Sequence, residues 1–84
     1  MDVHVGSAVI SLAGRDKGRY LAVTELTDDG YVYIADGKLR RIENPKKKKI
    51  KHLSVTATVF ERDVLTENKK LHKAIMERFD AEHR

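Results

Sequence analysis

The sequence predicts a mainly β domain: a small, strongly bent antiparallel barrel of about five strands followed by a C-terminal α-helix. Three observations carry that reading. Between Val3 and about Thr58, β-branched and aromatic residues gather in short runs separated by Gly, Asp and Asn clusters, the pattern of strands and turns. Beyond that point Leu71, Ala74, Ile75 and Phe79 recur at spacings of three and four, the apolar stripe of an amphipathic helix. The chain has 84 residues, room for one domain, and a flat sheet of that size cannot shield its own apolar face. The expected division is a single domain over 1–84, with the barrel at about 3–58 and the helix at about 66–82.

The elements follow in order. Ser7 to Leu12 (SAVISL) puts Ala8, Ile10 and Leu12 on one face and Val9 on the other, then reaches Gly14. After the loop Gly14–Gly18 (GRDKG), Tyr20 to Leu26 alternates again, with Leu21 and Val23 on one face and Tyr20, Ala22 and Leu26 on the other. It stops at Thr27-Asp28-Asp29-Gly30, a turn. Tyr31 to Ala35 (YVYIA) is the clearest strand. Asp36-Gly37 after it suits a type I′ hairpin, which predicts that Lys38 to Ile42 returns antiparallel. Pro45 has no N–H to donate, so Glu43-Asn44-Pro45 reads as a break before the lysine run, and Ile50 to Thr56 as the last strand. Thr66 is the expected N-cap of the helix, Glu67 complements its dipole, and Asp80 with Arg84 makes an exposed i,i+4 pair. The helix is expected to cover one barrel opening.

Composition removes several classes of function. With no cysteine, disulfides, thiolate catalysis and cysteine-ligated zinc are excluded, and a reducing, cytoplasmic setting is expected. The N-terminal stretch lacks a basic region, and no apolar stretch approaches the roughly 18–20 residues of a membrane span, so no signal peptide or membrane partner is expected. His4, His52, His72 and His83 show no metal-ligand spacing, and Asp28-Asp29-Gly30 lacks the further ligands of a calcium loop. With no nucleophile–base order, P-loop or dinucleotide fingerprint, the expectation is a non-enzyme without cofactor or metal.

Charge points the other way. The chain totals +4, but residues 36–52 hold eight Lys or Arg (Lys38, Arg40, Arg41, Lys46, Lys47, Lys48, Lys49 and Lys51) against Asp36 and Glu43, a net of +6. A basic segment in an otherwise slightly acidic chain is the pattern of a phosphate-tracking surface. The loop GRDKG adds Arg15, Lys17 and Arg19 with Asp16 as its only acid, and Gly14 and Gly18 shape its sharp turn. Read in isolation, a lysine run is a solvated face that protects an edge strand, and alternate tyrosines cover a barrel face. The two basic segments together favour RNA.

Gly6, the strand Ser7 to Leu12, the loop GRDKG and the strand Tyr20 to Leu26 resemble the KOW motif of ribosomal proteins and transcription elongation factors. Tyr33 to Gly37 (YIADG), Leu39 to Arg41 (LRR), the Pro45–Lys49 run and Lys51 to Thr56 (KHLSVT) extend the likeness to the large-subunit ribosomal protein fourteen-e family. The resemblance implies an SH3-like β-barrel that binds RNA, often on the ribosome, with no catalytic activity. The expected contact residues are Arg15, Lys17, Arg19, Tyr20, Lys38, Arg40, Arg41, Lys46, Lys47, Lys48, Lys49, Lys51 and His52, with Tyr20 the best placed of Tyr20, Tyr31 and Tyr33 to stack on a base. The expected partners of this monomer are ribosomal RNA and ribosomal proteins. The rival is a module of a transcription or translation complex that binds an acidic protein. Duplex DNA is a third reading, weakened because Glu77 and Asp80 interrupt the basic helix face.

Overall fold

The computed structural model describes residues 2–79. Five strands form one antiparallel sheet: β1 (Ser7–Ser11), β2 (Tyr20–Leu26), β3 (Tyr31–Ala35), β4 (Lys46–Lys49) and β5 (Leu53–Val59), in the order β4-β3-β2-β1-β5. A 3₁₀ turn over Ile50–His52 joins the two edge strands, a second spans Arg62–Thr66, and α1 (Asn68–Phe79) follows. The fold is the small SH3-like barrel type that the sequence predicts.

Strand alternation sorts the side chains into two clusters. Val9, Leu21, Val23, Val32, Ile34 and Leu53 fill the barrel interior. Their neighbours on the opposite face of the pleat, Tyr20 and Ala22 with Ala35 at the end of β3, meet Leu71 and Ile75 of α1. The helix therefore packs on the outside of β2 and not over a barrel opening. Two alanines leave the space for it, and Phe60, Val64 and Leu65 from the connecting segment complete the layer. Close approach is also built into Gly37, where a Cβ would sit 2.2 Å from the Asn68 carbonyl oxygen, a position open only to glycine.

Three further expectations are corrected. Lys38 to Ile42 is not a strand: Asp36 Oδ1 accepts hydrogen bonds from the backbone N–H groups of Lys38 (2.9 Å) and Arg40 (2.8 Å), which curls the chain into a loop. The strand that pairs with β3 is the lysine run itself, starting directly after Pro45, with Lys46 opposite Ile34 and Lys49 opposite Tyr31. The last strand starts three residues later than expected, because Ile50–His52 takes up the turn between β4 and β5. Thr66 does not cap α1. It ends the second 3₁₀ turn, where its hydroxyl donates to the Asp63 carbonyl (2.7 Å), and the first helical bond runs from Leu71 N–H to the Glu67 carbonyl (3.0 Å). The expected Asp80–Arg84 pair and the helix end at 82 lie outside the described residues.

Candidate nucleic-acid interface

The interface begins with the loop between β1 and β2. Its backbone is closed at both ends: Gly18 N–H donates to the Ser11 carbonyl (2.7 Å), Ser11 N–H to the Arg19 carbonyl (3.0 Å), and Arg19 N–H to the Asp16 carbonyl (2.9 Å). Gly14 and Gly18 hold φ values of 83° and 86°, in the left-handed region where a side chain is strained. The result is a fixed turn that displays Arg15, Lys17 and Arg19 in exposed positions.

Asp16 anchors this loop to β4. Lys48, only 8% exposed, points inward from the edge strand and donates to Asp16 Oδ1 (3.0 Å), the Ala13 carbonyl (2.7 Å) and the Ser11 hydroxyl (3.1 Å). Lys46, on the same face of β4, places its Nζ 3.8 Å from Asp16 Oδ2. Burial would raise the Asp16 pKa, but the hydrogen bonds from Lys48 and Ser11 and the charges of Lys48 and Lys46 outweigh it and hold the carboxyl below its ordinary value.

On the other face of β4, Lys47 and Lys49 lie 5.0 and 5.9 Å from the ring centroid of Tyr31. Lys47 also stands 3.6 Å from Asp29, whose carboxyl is held low first by the Thr27 hydroxyl and then by Lys47. Lys49 and Lys51 line a shallow hollow with Tyr31 and Gly30 at the far end of β3.

At the near end of β3, Arg15 and Arg19 from the first loop meet Arg40 from the second and Lys46 from β4 around a cleft of about 400 Å³, lined also by Leu21 and Leu39. Its two acids are already engaged, Asp16 as above and Asp36 by the backbone N–H groups of Lys38 and Arg40. Lys38 borders an adjoining hollow. The expected contact residues thus divide between two ends of the β3–β4 ladder.

Several expected residues stand elsewhere. Lys48 is withdrawn into the protein and is not a surface contact. The Tyr20 ring stacks on Phe79, with centroids 4.2 Å apart and planes at 22°, so α1 takes a face that a base would need. Arg41 turns to Glu43 (2.9 Å), which also accepts from Asn68 (2.8 Å). The bonds from Asn68 and then Arg41 lower the Glu43 pKa to about 2. That network ties the end of the second loop to the start of α1 and leaves Arg41 outside the cleft lining that Leu39 and Arg40 join. His52 is exposed at the 3₁₀ turn, its carbonyl accepting from Leu12 N–H (2.9 Å). Leu39, 61% exposed on the cleft rim, and the acids Asp16 and Asp36 were not among the expected site residues. An apolar residue between Lys38 and Arg40 is the one signal in the chain that marks Leu39.

Among the described residues no three His, Asp or Glu side chains gather as a metal site, and no helix is long and apolar enough to cross a membrane. No protein-family model matches the chain, and no curated protein matches it either.

Proposed function

We propose that this protein is a non-enzymatic RNA-binding protein of the KOW type, acting on ribosomal RNA or within the translation apparatus. The observation that carries the reading is the convergence of Arg15, Arg19, Arg40 and Lys46, from three separate segments, on one cleft whose carboxylates are already satisfied. Among the described residues Arg15, Arg19 and Arg40 form no ion pair, and such guanidinium groups suit phosphate oxygens, which they bind in a planar, bidentate fashion. Lys47, Lys49 and Lys51 extend the positive surface to the other end of the ladder. The cations are Lys and Arg rather than the amide side chains that read base edges, so recognition rests on RNA shape and backbone.

The test is sedimentation of the native protein from lysate through a density gradient, with and without ribonuclease, paired with titration of structured RNA at several salt concentrations. Co-migration with ribosomal subunits that ribonuclease abolishes is the expected result. If about six phosphates are neutralised on duplex RNA, log K falls against log salt with a slope of roughly −5. Migration with a ribonuclease-resistant protein complex would transfer the basic surface to an acidic protein partner.

A further inference from the structure

The geometry points to the cleft as a site for a nucleoside 5′-phosphate, either the phosphorylated end of an RNA chain or a free nucleotide. It rests on the nucleic-acid reading above and names the part of the ligand that enters.

Two adjoining hollows share Arg19, Asp36 and Leu39. The first, of about 400 Å³, adds Arg15, Arg40 and Lys46, and the second, of about 240 Å³, adds Tyr20, Lys38, His72 and Ile75. The first half gathers the guanidinium groups and Lys46, the second sets Tyr20, Leu39 and Ile75 beside Lys38 and His72, and together they have the size of a small-molecule site. A nucleotide has the same division, with its phosphate at one end and a flat, weakly polar base at the other.

Charge favours a terminal phosphate over an internal one. None of the ion pairs among the described residues involves Arg15, Arg19 or Arg40. A phosphodiester brings a single negative charge, whereas a phosphate monoester carries close to two at pH 7 and three acceptor oxygens. Three guanidinium forks around one concavity match the second better. Leu39 accounts for the other half: its side chain is 61% exposed on the rim of both hollows, and a base laid against it, over a lining that includes Tyr20 and Ile75, removes apolar surface from water.

The experiment is fluorescence anisotropy on two RNA oligonucleotides of one sequence, one 5′-phosphorylated and one with a 5′-hydroxyl, with adenosine and uridine 5′-monophosphates as competitors. The phosphorylated oligonucleotide is expected to bind at least about tenfold more tightly, a difference that narrows as the phosphate loses its second charge below pH about 6. Arg19→Gln should abolish the preference and Leu39→Ala should weaken it. Both positions are exposed, so circular dichroism should show an unchanged fold. Competition by the free monophosphates at the concentration of the phosphorylated oligonucleotide assigns the site to nucleotides, and much weaker competition assigns it to RNA ends. Equal, salt-sensitive binding of the two oligonucleotides, with no binding of the monophosphates, overturns this inference and leaves the RNA reading in place. Monophosphate binding with neither oligonucleotide bound does the reverse, and no binding of any probe removes both.

Discussion

The two faces of β4 carry the same side chain and do different work. Lys48 is inside, bonded to Asp16, Ser11 and the Ala13 carbonyl, and links the edge strand to the loop between β1 and β2. Lys47 and Lys49, one residue either side, lie over Tyr31 in contact with solvent. An ammonium group is tolerated in the first position because each of its three protons has an acceptor, and in the second because water remains available. Adjacent identical residues can thus belong to the architecture and to the surface, with only the parity of the strand to separate them.

That contrast can be broken by substitution. Replacing Lys48 by Met strands Asp16 with Lys46 and Ser11 as its remaining partners. Removing one member of a buried pair costs about 3–5 kcal/mol, and since Asp16 keeps two partners the expected loss here is about 2–3 kcal/mol. In a domain of this size that lowers the Tm by roughly 10–20 °C. Lys47→Met should stay within about 0.5 kcal/mol. Urea unfolding of both variants at pH 7 decides the matter, and equal losses would erase the distinction between the faces.

Next in size is the loop that Lys48 holds. Gly18→Ala should cost about 1 kcal/mol for its positive φ alone, because nothing lies within 4 Å of a Cβ placed there. Gly14→Ala should cost more, since its Cβ would meet the Lys48 ammonium at 3.3 Å. Thermal denaturation of the pair, with and without the Lys48 substitution, would show whether loop and strand are coupled. Additive effects would argue that they are not.

The acid limb of stability sharpens the same comparison. The Asp16 carboxyl is held below its ordinary value in the folded chain, so its contribution is complete above the unfolded carboxyl pKa of about 4 and is lost as the pH falls through the lower folded value. Asp16→Asn should be less stable than the wild type at pH 7 but lose less between pH 4 and pH 2. Glu43→Gln is the surface control, whose low pKa comes from Asn68 and Arg41 in an exposed network. Parallel acid-unfolding curves for all three proteins would contradict the role given to Asp16.

The smallest expected effect on folding is the most informative about binding. Arg15→Gln, Arg19→Gln and Arg40→Gln together should leave stability nearly unchanged, yet reduce the salt slope for RNA by roughly 3. Lys47→Gln with Lys49→Gln should reduce it by roughly 1, since Lys47 already faces Asp29 and both amines rest on an aromatic ring. A larger effect from the outer pair would move the main contact to the far end of the ladder.

A register shift between Val23 and Glu25 carries Leu26 off the expected face of Tyr20 and Ala22 to stand opposite Val32. Up to Val23 the period-two pattern of β2 was sufficient to divide inward Leu21 and Val23 from outward Tyr20 and Ala22, because alternation is a property of the backbone that a local window contains. The same holds for Leu71 and Ile75 on the buried stripe of α1. The lysine run was harder, since four identical residues carry no alternation and Asp36-Gly37 gave a plausible hairpin one step too early. Which lysine faces inward depends on Asp16, 32 residues away from Lys48, and which tyrosine is covered depends on Phe79. The cleft has the same origin. Periodicity, turn chemistry and charge, all readable along the chain, were enough for the strand-rich barrel, the helix and the two basic segments. Which cations converge, which one is buried and where the helix lies emerge in the folded chain alone, because those outcomes are set by contacts between residues far apart in the chain and by whether each buried polar group finds a partner there.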